Sequence, residues 1–181
     1  MDYTVDACER CDDLVESRSH IVNGVGRCSL GVVFVGEAPG ADEDAQGEPF
    51  VGRSGEVLTE KLDALGVTRD EVRITNSVRC RPPDNRNPRK DELENCRSYL
   101  VAEIDTFDPS VVCTLGRVPT TNLVDDVNAM RDVVGEELDI EIGAKERTVV
   151  PCYHPAAMLY DRSKEDTIDE TLAHVVEIAR S

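Results

Sequence analysis

Short runs rich in β-branched residues alternate with longer helical patterns, and this alternation constrains the fold more than any other feature of the sequence. The runs that predict buried strands are residues 32–35, 72–76, 111–115 and 148–150. Apolar spacing predicts helices from Ser54 to Gly66, over residues 90–107 and over residues 166–179. Strands and helices that alternate in this way form a mostly parallel sheet covered by helices. We therefore expect an α/β fold, a three-layer α/β/α sandwich around a mostly parallel four-stranded sheet.

Three unusual loops each follow a predicted strand, over residues 36–53, 76–89 and 152–155. Ligands of such sheets bind beyond the carboxyl ends of the strands, so one cleft could collect all three loops. The first loop lacks the glycine and lysine spacing of a phosphate-binding or dinucleotide-binding loop. Its length, prolines and glycines favour a shaped functional loop. The alternative is that its acids are solvated and Phe50 packs into the core.

Only one of the three histidines is placed at this edge of the sheet. His154 directly follows a predicted strand and precedes Pro155, whereas His20 lies in a connector and His174 on a helix. An imidazole at the sheet edge could donate a hydrogen bond to a developing anion. His154 is therefore the candidate catalytic histidine.

Four of the seven cysteines form two pairs, Cys8 with Cys11 and Cys80 with Cys96. The first pair has the C-x2-C spacing that can hold one metal, but the second pair lacks the spacing of a zinc knuckle. Spacing alone leaves an iron–sulfur cluster, a zinc ion and no metal open. The remaining three, which we expect to be buried apolar positions, are Cys28, Cys113 and Cys152.

The net charge of −17, with a sequence pI near 4.5, argues at first against nucleic acid as a partner. Acids spread along the chain, with only four lysines, also suit a protein from a very salty cytoplasm, where self-repulsion is screened. An ordinary acidic enzyme is the alternative. The length of 181 residues suits one domain. With no long apolar run and no signal-like N-terminus, we expect a cytoplasmic monomer that does not contact a membrane.

The basic residues are concentrated in one loop. Residues 73–90 contain six basic residues and one acid, Asp84, which gives a local charge of +5. The basic residues are Arg73, Arg79, Arg81, Arg86, Arg89 and Lys90. Guanidinium groups at this density suit an anion-binding strip for phosphates. The alternative is a solvated face paired with neighbouring acids.

Together these motifs resemble the family 4 uracil-DNA glycosylases, the iron–sulfur branch of their superfamily. The resemblance extends from Cys8 to about Leu159, with the motifs in the same order and the four cysteines between them. The motifs are Gly36-Glu37-Ala38-Pro39-Gly40, Glu43-Asp44, residues 47–53, Thr75-Asn76, Cys80-Arg81-Pro82-Pro83, Asn85-Arg86 and His154-Pro155. The resemblance implies a glycosylase-like fold over residues 1–181.

The resemblance implies that the protein hydrolyses the N-glycosidic bond of deoxyuridine in single- and double-stranded DNA. This reaction begins base excision repair and requires the nucleotide to leave the base stack. The family places Phe50 against the uracil ring and Asn76 at its Watson–Crick edge, where an amide offers both a donor and an acceptor. It also places His154 as the donor to O2 of the leaving uracil anion.

The carboxylates of the first loop are the remaining catalytic candidates from the resemblance. Family 1 enzymes carry a water-activating Asp where this sequence has Ala38, which would line the substrate pocket. We therefore expect Glu37 to position or activate water and to stabilise the sugar cation, with support from Glu43.

The resemblance also implies a cofactor and a DNA surface. Cys8, Cys11, Cys80 and Cys96 match the ligands of a structural [4Fe-4S] cluster that would order the basic loop. The residues expected to contact uracil-containing DNA are Arg79, Arg81, Arg86, Arg89 and Met158. Met158 belongs to the run Ala156-Ala157-Met158-Leu159, which would press into the minor groove as a wedge.

Two other functions compete with this one. A family 5-like glycosylase would accept a broader range of bases, and a non-catalytic iron–sulfur DNA-binding module would retain the fold alone. Asn76, Glu37 and Phe50 favour family 4 over the family 5-like enzyme. Glu37, Asn76 and His154 together argue against the non-catalytic module.

Overall fold

A five-stranded sheet organises the structure, a computed structural model that describes residues 1–181. The strands are β1 (Val32–Gly36), β2 (Arg73–Asn76), β3 (Val111–Leu115), β4 (Leu138–Ile142) and β5 (Lys145–Cys152). Their order across the sheet is β2-β1-β3-β5-β4. The first four strands in this order are parallel, and β4 pairs antiparallel with β5.

The expected four-stranded sheet is wrong by one strand, because β4 lies in an acidic segment in which we predicted no strand. Leu138, Ile140 and Ile142 turn toward the protein, while Asp139 and Glu141 are exposed. Such alternation is typical of an edge strand with one face in solvent. The turn between β4 and β5 has only two residues, and Gly143 supplies the positive φ of 63° that such a turn needs.

Seven α-helices surround the sheet, and the three that the sequence predicts are confirmed, with small shifts at their ends. The seven are α1 (Asp12–Ser17), α2 (Ala41–Gln46), α3 (Arg53–Ala64), α4 (Lys90–Phe107), α5 (Arg117–Leu123), α6 (Ala157–Tyr160) and α7 (Glu165–Arg180). The four that were missed have seven residues or fewer, too few for a helical period to stand out. None of the seven combines the length and apolar character that a membrane span requires.

The predicted three-layer sandwich is confirmed by two apolar cores, one on each face of the sheet. Alternate residues of β1 supply both: Phe34 packs with the residues of α3 and α7, and Val35 with those of α4 and α5. Both faces of β1 and β3 are buried, as their continuous apolar sequences require. The long loops that follow β1, β2 and β5 emerge at the carboxyl ends of these strands.

Candidate active site

The three loops that follow β1, β2 and β5 meet in one open cleft of about 670 Å³, as the sequence predicts. Glu37, Asn76 and His154 each follow or end one of these strands. Other residues that line the cleft are Ala38, Glu43, Phe50, Asn85, Arg86 and Asn87. The sheet thus brings together side chains that are more than 100 positions apart in the sequence.

Phe50 is both a core residue and a wall of the cleft. Its side chain belongs to the apolar core that contains β1, and it is 6% exposed. A Cβ atom added to Gly36 would lie 2.5 Å from the Phe50 ring, so only glycine at the end of β1 lets the ring lie so close. The φ angle of Phe50 is 52°, in the left-handed region, which costs a bulky residue roughly 1–2 kcal/mol. Strain of this kind is commonly found at functional sites.

Glu43 holds the loop that carries Phe50. One carboxylate oxygen accepts the Gly40 N–H at 3.1 Å, and the other accepts the N–H groups of Val51 at 3.0 Å and Gly52 at 2.8 Å. Both oxygens are thus occupied by backbone donors. Glu43 therefore shapes the loop, and the support for Glu37 that the resemblance implies stays a prediction.

Glu37 is the carboxylate of the cleft that remains free. Its side chain is half-buried, and burial alone raises its pKa above the ordinary value of 4.5. No hydrogen bond within the protein stabilises its charge. A carboxylate in this state has unused acceptor capacity for a water molecule or a cationic group.

Asn76 presents its amide to the cleft from the end of β2, where it is 4% exposed. Its Oδ1 is one of the atoms closest to Gly36, which places the amide beside the Phe50 ring. A planar ligand that lies on the ring would therefore meet an amide donor and acceptor at its edge.

His154 is neutral and has a defined tautomer. Burial lowers its pKa below the ordinary value of 6.5, so the imidazole carries no charge at neutral pH. The backbone N–H of Ala156 donates to Nδ1 at 3.2 Å, so the single ring proton resides on Nε2. The ring centroids of His154 and Phe50 are 6.0 Å apart, with planes inclined by 26°. Nε2–H is therefore a candidate donor to a ligand on Phe50.

The four paired cysteines line one small cavity between the N-terminal segment, Cys80 and α4. The cysteines are Cys8, Cys11, Cys80 and Cys96. Arg18, Asn95 and Tyr99 also line the cavity. Arg18 Nη1 donates to Cys80 Sγ at 3.3 Å and Asn95 Nδ2 to Cys11 Sγ at 3.4 Å. Such donors favour thiolate sulfur. Cys28, Cys113 and Cys152 are buried elsewhere, as expected.

The donor set of this cavity consists of cysteine sulfurs alone. Thiolates around a tetrahedral zinc ion would lie roughly 3.8 Å apart, given a Zn–S bond of about 2.3 Å. An iron–sulfur cluster is larger and is held by four cysteines that stand further apart. An all-cysteine cavity with two N–H donors to sulfur fits such a cluster.

Arg79 is not on the protein surface, which corrects the DNA contact expected for it. It is 2% exposed and donates to the fully buried Glu103 at 2.5 Å. Glu103 also accepts from Arg73 Nε and Thr75 Oγ1, each at 2.8 Å. A buried carboxylate needs such partners. The charge count along the loop therefore overstates the number of available cations.

Arg73 is buried with Arg79, whereas Arg81, Arg86 and Arg89 remain at the surface, where two of the three are paired. Arg86 donates to both oxygens of Glu92, at 2.7 and 2.9 Å, and Arg89 donates to Asp13 at 2.5 Å. Arg81 Nε donates to the Asn85 side chain at 2.7 Å and pairs with no carboxylate. The paired-face alternative thus describes part of the loop.

Met158, which was expected to act as the wedge, does not project from the surface beside the cleft. Met158 packs against the core and lines a separate groove between α3 and α7. Its neighbours Leu159 and Tyr160 are 37% and 91% exposed. The exposed apolar tip of this segment is therefore at Leu159 and Tyr160.

The sequence analysis named Asn85 only as part of a motif and did not predict that Asn85 and Asn87 line the cleft. Asn85 has a positive φ of 56°, which asparagine tolerates better than most residues. Its position after two prolines in a strand-following loop was the available signal.

Comparisons with known proteins agree with this geometry. Residues 24–179 match the profile of the Uracil DNA glycosylase superfamily. A type-4 uracil-DNA glycosylase of Archaeoglobus fulgidus is 44% identical over 158 residues, which cover 85% of this chain and 79% of that protein. The type-4 enzyme of Sulfurisphaera tokodaii is 39% identical over 96% of this chain and 80% of its own length. A type-5 uracil-DNA glycosylase of Pyrobaculum aerophilum is 33% identical over only 61% of the chain and 62% of that protein.

Proposed function

The chain belongs to the type-4 family of the uracil DNA glycosylase superfamily and is a uracil-DNA glycosylase, and from this premise we propose how its cleft releases uracil. The observation that carries the proposal is the meeting of Glu37, Phe50, Asn76 and His154 in one cleft at the sheet edge. In this mechanism a deoxyuridine leaves the base stack and enters the cleft.

Recognition depends on stacking and on one amide. Uracil lies against the Phe50 ring, and the Asn76 side chain accepts from N3–H and donates to O4. Cytosine presents the opposite donor and acceptor pattern at these two positions, which leaves buried polar groups unpaired.

His154 stabilises the leaving group. As the C1′–N1 bond breaks, its electron pair remains on uracil, and negative charge grows on O2. The Nε2–H of neutral His154 donates to this oxygen, which is oxyanion stabilisation by a preorganised donor. Because Ala156 N–H occupies Nδ1, the imidazole needs no change of tautomer.

Glu37 acts on the sugar side of the bond. Its free carboxylate stabilises positive charge on the sugar and orients the water that forms the new C1′–O bond. That water releases one proton, and the uracil anion takes up one proton, so the reaction is a balanced hydrolysis. Positioned general-base assistance typically contributes about 10²- to 10⁴-fold.

Cys8, Cys11, Cys80 and Cys96 would hold a [4Fe-4S] cluster, whose contribution when bound is structural. The four residues join the N-terminal segment to the start of the basic loop and to α4. Anaerobically purified protein should contain iron and sulfide and show broad visible absorption. Protein that contains zinc and is colourless would reject the cluster.

The DNA surface would combine the exposed arginines with the apolar tip. Arg81, Arg86 and Arg89 flank the cleft and suit phosphate contacts. Leu159 and Tyr160 replace Met158 as the residues that press against the bases. Both single- and double-stranded uracil DNA are proposed substrates.

Cleavage of a uracil-containing oligonucleotide tests the function directly. Single- and double-stranded substrates would be compared with thymine and cytosine controls across a series of salt concentrations. We expect release of uracil only. Absence of uracil release at every salt concentration would refute the assignment, and excision of hypoxanthine at a similar rate would favour a broader base range.

A further inference from the structure

Arg69 contacts the Phe50 loop from outside the cleft. Its Nη1 donates to the carbonyl oxygen of Phe50 at 3.0 Å and to Thr59 Oγ1 at 3.3 Å, and its Nη2 donates to the carbonyl oxygen of Pro49 at 2.9 Å. The guanidinium is half-buried and is not one of the groups that line the cleft. Arg69 therefore reaches the site only through the backbone of the loop.

The loop is held from two sides. Arg69 binds the carbonyl groups of Pro49 and Phe50, whereas Glu43 binds the N–H groups of Val51 and Gly52. Four consecutive residues are thus fixed by one cation and one anion. Phe50, in the middle, has the left-handed φ of 52°.

The packing of α3 leaves the Phe50 carbonyl few other partners. A Cβ atom added to Gly55 would lie 1.8 Å from that carbonyl oxygen, so the first turn of α3 already presses against it. No N–H group of α3 donates to this oxygen, and the Arg69 guanidinium supplies the hydrogen bond. Removing the guanidinium would leave a crowded carbonyl without its donor, which favours a change in the backbone.

A phosphate contact does not explain Arg69. The groove on its side of the loop is lined by Glu48, Glu56 and Glu60, which would repel a DNA backbone. The charge and the three hydrogen bonds of Arg69 instead suit an internal structural contact.

We propose that Arg69 is a positioning residue for uracil excision, because it fixes the left-handed backbone that presents the Phe50 ring to the base. This inference rests on the proposed role of Phe50 in stacking. A small displacement of a substrate-positioning group can reduce rates by about 100-fold. Arg69 thus determines activity without touching the substrate.

Arg69→Met tests the proposal, since it keeps an unbranched apolar stem and removes the donors. We expect kcat/KM on a single-stranded uracil oligonucleotide to fall about 10- to 100-fold, with kcat lowered and KM raised. Arg69→Lys, which retains one donor group, should recover part of this loss. The matched control is Arg27→Met, since Arg27 is a nearby surface arginine, 76% exposed, that pairs only with Asp70. The kcat/KM of Arg27→Met should remain within about twofold of the wild-type value.

A double-mutant cycle separates positioning from general stability. If Arg69 acts through the ring, adding Arg69→Met to Phe50→Ala should change the rate by less than about threefold. A merely structural Arg69 would give losses that multiply. Multiplied losses, or full activity of folded Arg69→Met, would overturn the proposal.

Hydrogen exchange provides a test that does not need activity. In Arg69→Met the amides of Val51 and Gly52 should exchange faster, while the strands β1 and β3 keep their protection. Unchanged exchange at these two amides would refute the positioning role. If wild-type protein released no uracil, the proposed function would fail, and the exchange result would still decide whether Arg69 holds the loop.

Discussion

Burial and one backbone hydrogen bond together set the charge and the tautomer of His154. Burial keeps the imidazole neutral, and one backbone N–H keeps its proton on Nε2. His154→Ala removes the donor to the leaving uracil, so we expect a loss of about 100- to 1000-fold in single-turnover rate, the range for one oxyanion donor. Single-turnover assays on single-stranded uracil DNA measure it, with His174→Ala as control because His174 lies on α7 beside Glu137 and does not line the cleft. A near-normal rate would remove His154 from the mechanism.

The ionised form of Glu37, which the mechanism requires, is expected to lower the stability of the folded protein. Its folded pKa is raised by burial, so the folded state favours the protonated form, and ionisation above the unfolded value near 4.5 destabilises the fold. Glu37→Gln should therefore raise Tm at pH 7 and lose this advantage below about pH 4. The same variant should lose most of its activity. Thermal melts from pH 4 to 8 measure the effect, and a lower Tm at pH 7 would contradict it.

The wild-type rate should also depend on pH through the same two groups. Glu37 must be ionised and His154 neutral, and both conditions fail as the pH falls. We expect the rate to decline on the acidic side, because the raised pKa of Glu37 brings its protonation closer to neutral pH, whereas the lowered pKa of His154 moves its protonation to more acidic pH. Glu37→Gln should lose the part of this decline that belongs to Glu37. A wild-type rate that increases toward pH 5 would contradict both assignments.

At the scale of elements, the short helix α6 directs Met158 toward the core and leaves Leu159 and Tyr160 exposed. The backbone N–H of Ala157, the first residue of α6, donates to the carbonyl oxygen of His154 at 2.8 Å. This hydrogen bond connects the start of α6 to a residue of the cleft. Tyr160→Ser should reduce excision from double-stranded DNA about tenfold and affect single-stranded DNA less, because stacking on a base is worth about 1–3 kcal/mol. Met158→Ala should instead lower Tm by a few degrees. The opposite pattern would restore Met158 as the wedge.

The elements that the sequence predicted are those with strong periodicity. The buried strands and the helix at residues 90–107 were found because apolar side chains recur on one face. β4 was missed because charged residues dominate its segment and hide a short alternation of Leu138, Ile140 and Ile142. The same limit applies to the site. Motif positions identified the lining residues. Arg79 was assigned to DNA by its charge and Glu43 to catalysis by the resemblance, because their partners, Glu103 and the Gly52 N–H, are far away in sequence or belong to the backbone.

For the whole molecule, the net charge of −17 has to be reconciled with a DNA substrate. Arg73 and Arg79 are buried against Glu103, and Arg86 and Arg89 are paired with acids, so within the basic loop only Arg81 and Lys90 have no acidic partner and few of its cations are free to release counterions from DNA. Binding must therefore depend more on stacking at Phe50 and Tyr160 than on charge.

Salt should consequently affect this enzyme in an unusual way. Each phosphate contact lowers affinity as salt rises, so a protein with few free cations has a shallow salt slope. At about 1 M salt the Debye length is roughly 3 Å, which screens repulsion among the surface acids and stabilises the fold. We expect uracil excision to decline less with added KCl than that of a basic glycosylase assayed in parallel, and Tm to increase with KCl. Sodium perchlorate at equal ionic strength separates screening from ion-specific effects. A steep loss of activity by 0.5 M KCl, on the order of 10³-fold as for a protein with many phosphate contacts, would show that charge governs binding after all.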